Sequence, residues 1–62
     1  MSQVKPQTLW VGNDRQQFQV IAVITDDQGH EWVHYRRVDP KSAEEYSCWT
    51  ESFIHRFREI VQ

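Results

Sequence analysis

Cysteine is almost absent from this chain, and its scarcity excludes several architectures. Cys48 is the only cysteine among 62 residues, so no internal disulfide can form and nothing indicates an oxidising compartment. The N-terminal stretch also lacks the apolar run of a signal peptide, and no segment approaches the roughly 20 apolar residues of a membrane span. We therefore expect neither export nor membrane insertion, and we predict the cytoplasm.

A strong excess of one charge is also lacking. Nine acidic and seven basic side chains give a formal net charge of −2, which provides no long-range attraction to nucleic acid or to anionic membranes. Glycine occurs only as Gly12 and Gly29, too few for a glycine-rich phosphate loop. Nucleic-acid binding therefore has no support from overall charge, and no nucleotide motif is present.

Patterns typical of metal sites and of catalysis are missing as well. The soft or borderline ligands are His30, His34, His55 and Cys48, and their spacing matches no zinc motif. On a strand, His30 and His34 would lie about 13 Å apart, too far to share an ion. On a helix, Cys48 and His55 would lie about 10 Å apart, too far for a nucleophile and its base. We expect no metal, no cofactor and no enzymatic activity.

Aromatic side chains are abundant for so short a chain. A domain of this length buries only about 60% of its unfolded surface, and aromatic rings supply the most buried area per side chain. The default assignment of each aromatic residue is therefore the core. They are Trp10, Phe18, Trp32, Tyr35, Tyr46, Trp49, Phe53 and Phe57. We predict one small domain over 8–62, preceded by a flexible N-terminus over 1–7.

The clearest local signal is a β-hairpin. Residues 17–25 are mostly β-branched or aromatic, which predicts the strongest strand, and a shorter strand over 9–11 precedes it. The sequence from Asp26 to Gly29 is typical of a type I turn with Gly29 in the left-handed region. If Asp26 and His30 close the loop, the turn sets the register of the returning strand. The predicted pairs are Ile24 with Trp32, Val23 with Val33, Ala22 with His34, Ile21 with Tyr35, and Gln19 with Arg37.

This register predicts two faces, neither of them purely polar. Ile21, Val23, Val33 and Tyr35 fall on one face, and Val20, Ala22, Ile24, Trp32, His34 and Arg36 fall on the other. A small sheet that is apolar on both sides must curl on itself or be covered by another element.

Two interpretations of the last third remain open. One helix over about 43–60 is favoured by three features: Asp39-Pro40 as a helix start, a capping box of Ser42 with Glu45, and aromatic residues three and four apart. The other interpretation has a loop over 40–45, a strand over 46–49, a short helix over 50–56 capped by Thr50, and a closing strand over 57–61.

One order of apolar positions extends over most of the chain. It consists of Leu9-Trp10, Phe18-x-Val20-Ile21-x-Val23, Val33-x-Tyr35-Arg36, Tyr46, Glu51-x-Phe53 and Phe57-x-x-Ile60. This order resembles short phage and bacterial proteins of uncharacterised function, which are small SH3-like β-barrels or barrel-like sheets. Those proteins often have proline where Trp49 stands. The resemblance implies a phage or prophage origin and favours a mainly β fold with a short helix.

We accordingly predict a small SH3-like barrel or a curled antiparallel sheet around the hairpin 17–38. The alternative is an α+β fold in which a three-stranded antiparallel sheet packs against one helix over about 43–60. The barrel accounts for both apolar faces of the hairpin without further material.

The candidate binding residues lie on the returning strand of the hairpin. Trp32, His34 and Arg36 share one predicted face, and these residue types are common in binding hot spots. Arg37 and Trp10 are candidate extensions of that surface. In the plainer interpretation, Trp32 covers the core and the arginines are solvated. We predict a non-enzymatic accessory domain that binds a protein through this face or through an exposed strand edge.

Two further functions remain as alternatives. Arg36, Arg37, Arg56 and Arg58 suggest a small-barrel module for single-stranded nucleic acid. A thin core with surplus aromatic residues suggests instead a self-associating homodimer.

Overall fold

The computed structural model describes residues 4–39 and 41–61. Its elements in chain order are β1 (Leu9–Val11), β2 (Gln17–Thr25), β3 (Glu31–Asp39), β4 (Lys41–Trp49), α1 (Thr50–Arg56) and β5 (Arg58–Glu59). The strands form one open sheet in the order β4-β3-β2-β1-β5, and every pairing is antiparallel. The prediction of a mainly β fold with one short helix is confirmed.

The turn between β2 and β3 has the predicted three-residue loop. Gly29 has a φ of 84°, and its N–H donates to the carbonyl of Asp26 at 3.1 Å. The N–H of Asp26 donates to the carbonyl of His30 at 2.9 Å, which closes the loop. The Asp26 carboxylate also accepts the N–H groups of Gln28 and His30, each at 2.9 Å. Local turn chemistry therefore sets the register beside the loop.

The predicted register holds from the loop to the pair of Ala22 with His34 and then shifts. An irregularity between Val20 and Ala22 gives Tyr35 the partner Val20 instead of Ile21. Beyond it, Gln19 pairs with Arg36, so the predicted pairs of Ile21 with Tyr35 and Gln19 with Arg37 are wrong.

The shift is a β-bulge, in which two residues of one strand lie opposite one residue of its partner. Val20 is 0% exposed while Ile21 is 36% exposed, the reverse of the predicted faces. Without the bulge, strict alternation would place Phe18 and Val20 on the opposite face from Val23. With it, all three contribute to the same core.

The side chains of β4 alternate between two environments, as expected for a strand. Tyr46 pairs with Tyr35 and Cys48 pairs with Val33 on the core face, whereas Trp49 is exposed. The single helix over about 43–60 is therefore wrong, because β4 continues to Trp49 and α1 spans only Thr50–Arg56. The loop over 40–45 is wrong where β4 occupies it, and β3 rather than a helix start reaches Asp39. Pro40 lies outside the described residues.

The short helix has the predicted bounds but a different N-cap. Trp49 occupies the N-cap position without a side-chain cap hydrogen bond. The Thr50 hydroxyl instead lies 3.0 Å from Oε1 and 3.3 Å from the main-chain oxygen of Glu31, joining the start of α1 to the start of β3. The closing strand is limited to Arg58–Glu59 and is shorter than the predicted 57–61.

The core lies between the sheet and α1. Its buried residues are Val4, Trp10, Phe18, Val20, Val33, Tyr35 and Phe53. Val4 is only 1% exposed, and the N–H of Gln7 donates to the carbonyl of Val20 at 2.9 Å. Within this N-terminal segment, Val4 therefore belongs to the core and Gln7 lies beside β2.

Candidate functional site

The candidate site is the outer face of β2, β3 and β4, the side of the sheet opposite the core. On β3, Val33 and Tyr35 face the core, so the alternate residues face outward. Trp32 and His34 are half-buried there, and Arg36 is exposed. The structure therefore places the three predicted residues of β3 on one face. Cross-strand pairing arranges the outer face in three rows: Ile24, Trp32 and Trp49; then Ala22, His34 and Ser47; then Gln19, Arg36 and Glu45.

The first row, which we call the aromatic row, consists of Ile24, Trp32 and Trp49. Ile24 is 52% exposed and Trp49 is 45% exposed. The rings of Trp32 and Trp49 meet edge to face with centroids 6.1 Å apart. His30 stacks on Trp49 at 4.7 Å with an interplanar angle of 15°. The row is thus a continuous strip of apolar and aromatic surface in contact with solvent.

Asp26 holds the aromatic row to the hairpin loop. Its Oδ2 accepts a hydrogen bond of 2.9 Å from Nε1 of Trp32, and Nδ1 of His30 lies 3.8 Å from the same oxygen. The hydrogen bond from Trp32, together with those from the main chain of His30 and Gln28, holds the pKa of Asp26 below its ordinary value. The indole N–H is satisfied inside the chain, so the exposed part of the Trp32 ring is apolar and its orientation is fixed.

The far end of the outer face is polar. Arg36 lies between Gln19 on β2 and Glu45 on β4, an arrangement in which opposite charges face each other across neighbouring strands. Within the described residues, no ion pair joins Arg36 to a carboxylate. Its side chain is exposed to solvent.

The other two candidates, Arg37 and Trp10, do not lie on the outer face. Arg37 pairs with the buried Phe18, and its Nη1 donates to Oε1 of Gln16 at 3.4 Å. Trp10 is 5% exposed and packs edge-on against Phe53 at 4.9 Å. Both side chains lie on the inner side of the sheet, so the structure does not bring them together with Trp32, His34 and Arg36.

Sequence reasoning missed the contribution of Trp49 and His30. Trp49 joins the aromatic row through the register of β3 with β4, which depends on the chain reversal near residue 40. Sequence reasoning assigned residues 39–45 to a helix start or to a loop, so this register was not predicted. His30 was assigned only to closing the loop, and its stacking on Trp49 follows from the same register.

In the part of the chain that the structure describes, we find neither a metal-binding cluster nor a membrane-spanning helix. No group of three or more His, Cys, Asp or Glu side chains is placed to hold a metal ion among those residues. None of their helices has the length and apolar character needed to cross a membrane. The chain matches no protein-family model, no curated protein and no solved structure. The case for a function therefore depends on the geometry of the outer face.

Proposed function

We propose that this chain is a non-enzymatic protein-binding domain and that the outer face is its binding surface. The observation that supports the proposal most is the aromatic row, in which Ile24 and Trp49 are about half exposed beside Trp32. Leaving apolar surface in water forgoes about 25 cal/mol per Å² of burial. A chain this small has little stability to spare, and contiguous exposed apolar patches are typical of interaction sites.

The composition of the face suggests the chemistry of the partner. The aromatic row offers a flat apolar strip, and His34 and Arg36 extend along β3 toward the polar end. Because Asp26 already orders Trp32, binding would cost little additional side-chain entropy. We expect a partner that presents an apolar anchor to the row and an acidic group to Arg36.

An edge of the sheet lies beside the same face. Among the described strands, β4 is at one end of the sheet and pairs with β3, so a partner strand could add to it by β-augmentation. Such a strand would lie directly beside Trp49. The two modes of binding that the sequence suggested therefore combine in one region.

Three narrower statements stay predictions. A cytoplasmic location agrees with the free thiol of Cys48, and a phage or prophage origin follows from the family resemblance. Single-stranded nucleic acid remains the alternative ligand, although the net charge of −2 gives it no long-range attraction.

The experiment is affinity capture from cells of the source organism with quantitative mass spectrometry. The test variant carries Trp32→Ala, His34→Ala and Arg36→Ala, and folding is checked by circular dichroism. The control is Val61→Ser, because Val61 is apolar and 84% exposed but is not part of the outer face. We expect the control to retain a partner that the triple variant loses. If the folded triple variant retains every partner of the parent, the assignment is wrong.

Self-association through the aromatic row is the competing outcome. Two copies could cover the row with each other, as exposed apolar patches often do in symmetric dimers. Sedimentation equilibrium at two concentrations distinguishes the cases. We expect a monomer, whereas a dimer that Trp49→Ser dissociates would replace the external partner with a second copy.

A further inference from the structure

A second surface feature lies between the β1–β2 turn and the end of α1. It is a groove of about 450 Å³, lined on one side by residues 11–13 and Arg15 and on the other by residues 54–58. Its charged or titratable lining residues are Arg15, His55, Arg56 and Arg58, and no carboxylate lines it among the described residues. We call it the arginine groove, after Arg15, Arg56 and Arg58.

The positive charge of the arginine groove is not neutralised locally. The chain has seven lysines and arginines and a net charge of −2, yet three arginines meet at this one place. The nearest acids in sequence, Asp14 and Glu59, are exposed and do not line the groove. In the described part of the chain, no ion pair joins the three arginines to a carboxylate. The groove is therefore a local cationic site on an acidic protein.

The arginine groove is held in shape by its packing. Nη2 of Arg56 donates to the hydroxyl of Tyr35 at 3.2 Å, and its guanidinium carbon lies 5.2 Å from the centroid of the Phe57 ring. Across the groove, a Cβ on Gly12 would lie 3.3 Å from the Phe57 ring. The turn thus packs tightly on the ring. Because the two walls are in contact, a ligand would not have to assemble the site.

We propose that the arginine groove binds an acidic peptide segment of a protein partner. Arginine binds carboxylates with paired, charge-assisted hydrogen bonds, and Ile54 and Phe57 supply apolar surface between the charges. A groove of this size accommodates a few side chains. The net negative charge of the chain opposes every anion at long range, so the groove favours a short segment whose contacts are local over a long polyanion that extends beyond it. The groove shares no residue with the outer face, so this proposal is independent of the proposed function.

The probe is a fluorescein-labelled hexaglutamate peptide, with a hexaglutamine peptide carrying the same label as its control. Fluorescence anisotropy at low ionic strength measures binding, and backbone NMR spectra of the protein locate it. We expect hexaglutamate alone to bind and to shift the amide signals of residues 12–15 and 54–58. Binding should weaken as salt is added, because exposed charges are screened.

Variants separate the groove from general charge. We expect Arg15→Gln with Arg58→Gln to weaken hexaglutamate binding at least about tenfold, because two charge-assisted contacts are lost. Lys5 is exposed and lies outside the groove, so Lys5→Gln should change the affinity less than about twofold.

Four results would overturn the proposal. They are no binding at about 1 mM peptide, amide shifts confined to other surfaces, an equal loss for Lys5→Gln, and tighter binding of oligothymidylate than of hexaglutamate at the groove. The last result would identify a nucleic-acid site instead. The amide shifts come from the parent protein, so the test does not depend on the folding of any variant.

Discussion

Nε1 of Trp32 donates a hydrogen bond of 2.9 Å to Oδ2 of Asp26. The other oxygen of the same carboxylate accepts the N–H groups of Gln28 and His30. One side chain therefore orders both the hairpin loop and the first tryptophan of the aromatic row. The shape of the outer face depends on a group that is charged at neutral pH.

This relationship predicts an acid-sensitive loop. The pKa of Asp26 is lowered in the folded chain, chiefly by the hydrogen bond from Trp32. Its stabilising effect is therefore present above the unfolded pKa and is lost as the pH falls below about 4, through the folded value. We expect Asp26→Asn to melt at a lower temperature than the parent near pH 6 and to show a smaller further loss on acidification. Thermal melts followed by circular dichroism measure both.

Asp27→Asn is the matched control for this prediction. Asp27 is the next residue in the same loop and is exposed. Equal acid dependence in the Asp26 and Asp27 variants would show that the carboxylate of Asp26 does not hold the loop.

The bulge in β2 predicts unequal losses of stability for substitutions at two neighbouring residues. Val20 is 0% exposed, so Val20→Thr buries a hydroxyl group without a hydrogen-bond partner. The free energy of unfolding should fall by about 1–3 kcal/mol. Ile21 is 36% exposed, and Ile21→Thr should cost less than about 1 kcal/mol. Urea unfolding of the two variants provides the comparison. A larger loss of stability for Ile21→Thr than for Val20→Thr would contradict the bulge and support the register predicted from the turn alone.

The geometry of the hairpin turn predicts that replacing Gly29 by alanine lowers the stability of the chain. Its φ is 84°, and a Cβ there would meet nothing within 4 Å. Any loss in Gly29→Ala therefore comes from conformation, and we expect about 1–2 kcal/mol by urea unfolding. Gly29→Asn should recover most of that loss, because asparagine tolerates the left-handed region. Equal stability of the alanine variant and the parent would contradict the turn geometry.

Phe53 is predicted to be essential for folding. It is 0% exposed, and its ring lies 4.9 Å from Trp10, 5.0 Å from Tyr35 and 4.6 Å from Phe57. Phe53→Ala should cost about 3–5 kcal/mol, comparable to the total stability expected for a chain of this length. We expect the variant to be largely unfolded by NMR, while Phe53→Leu stays folded. If Phe53→Ala were fully folded and unfolded cooperatively, the assignment of α1 to the core would be wrong.

The parts of the fold that follow from neighbouring residues could be predicted from the sequence. The loop closed by Asp26 and His30 follows from turn chemistry, whereas α1 over Thr50–Arg56 was one of two interpretations that the local pattern left open. The bulge at Ile21 could not be predicted, because it satisfies the packing of Phe18 and Val20 together. Packing of that kind is decided by the whole core and not by the strand itself.

The candidate site shows the same division. Trp32, His34 and Arg36 share a face because they alternate along one strand, which no shift of register on β2 can change. Trp49 joins them only through the pairing of β3 with β4. Arg15 and Arg58 line one groove although 43 positions of sequence separate them. Contacts between distant segments required the complete fold, whereas the burial of Trp10 agrees with the default assignment of aromatic residues to the core.

We infer that the aromatic row serves a partner rather than the fold. This inference is tested most directly by the amount of partner captured by the double variant Ile24→Thr with Trp49→Ser, compared with the parent. Both residues are exposed, so we expect the variant to remain folded by NMR and to capture less than about a tenth of the parent's amount. Capture at the parental level by the folded double variant would contradict this role of the aromatic row.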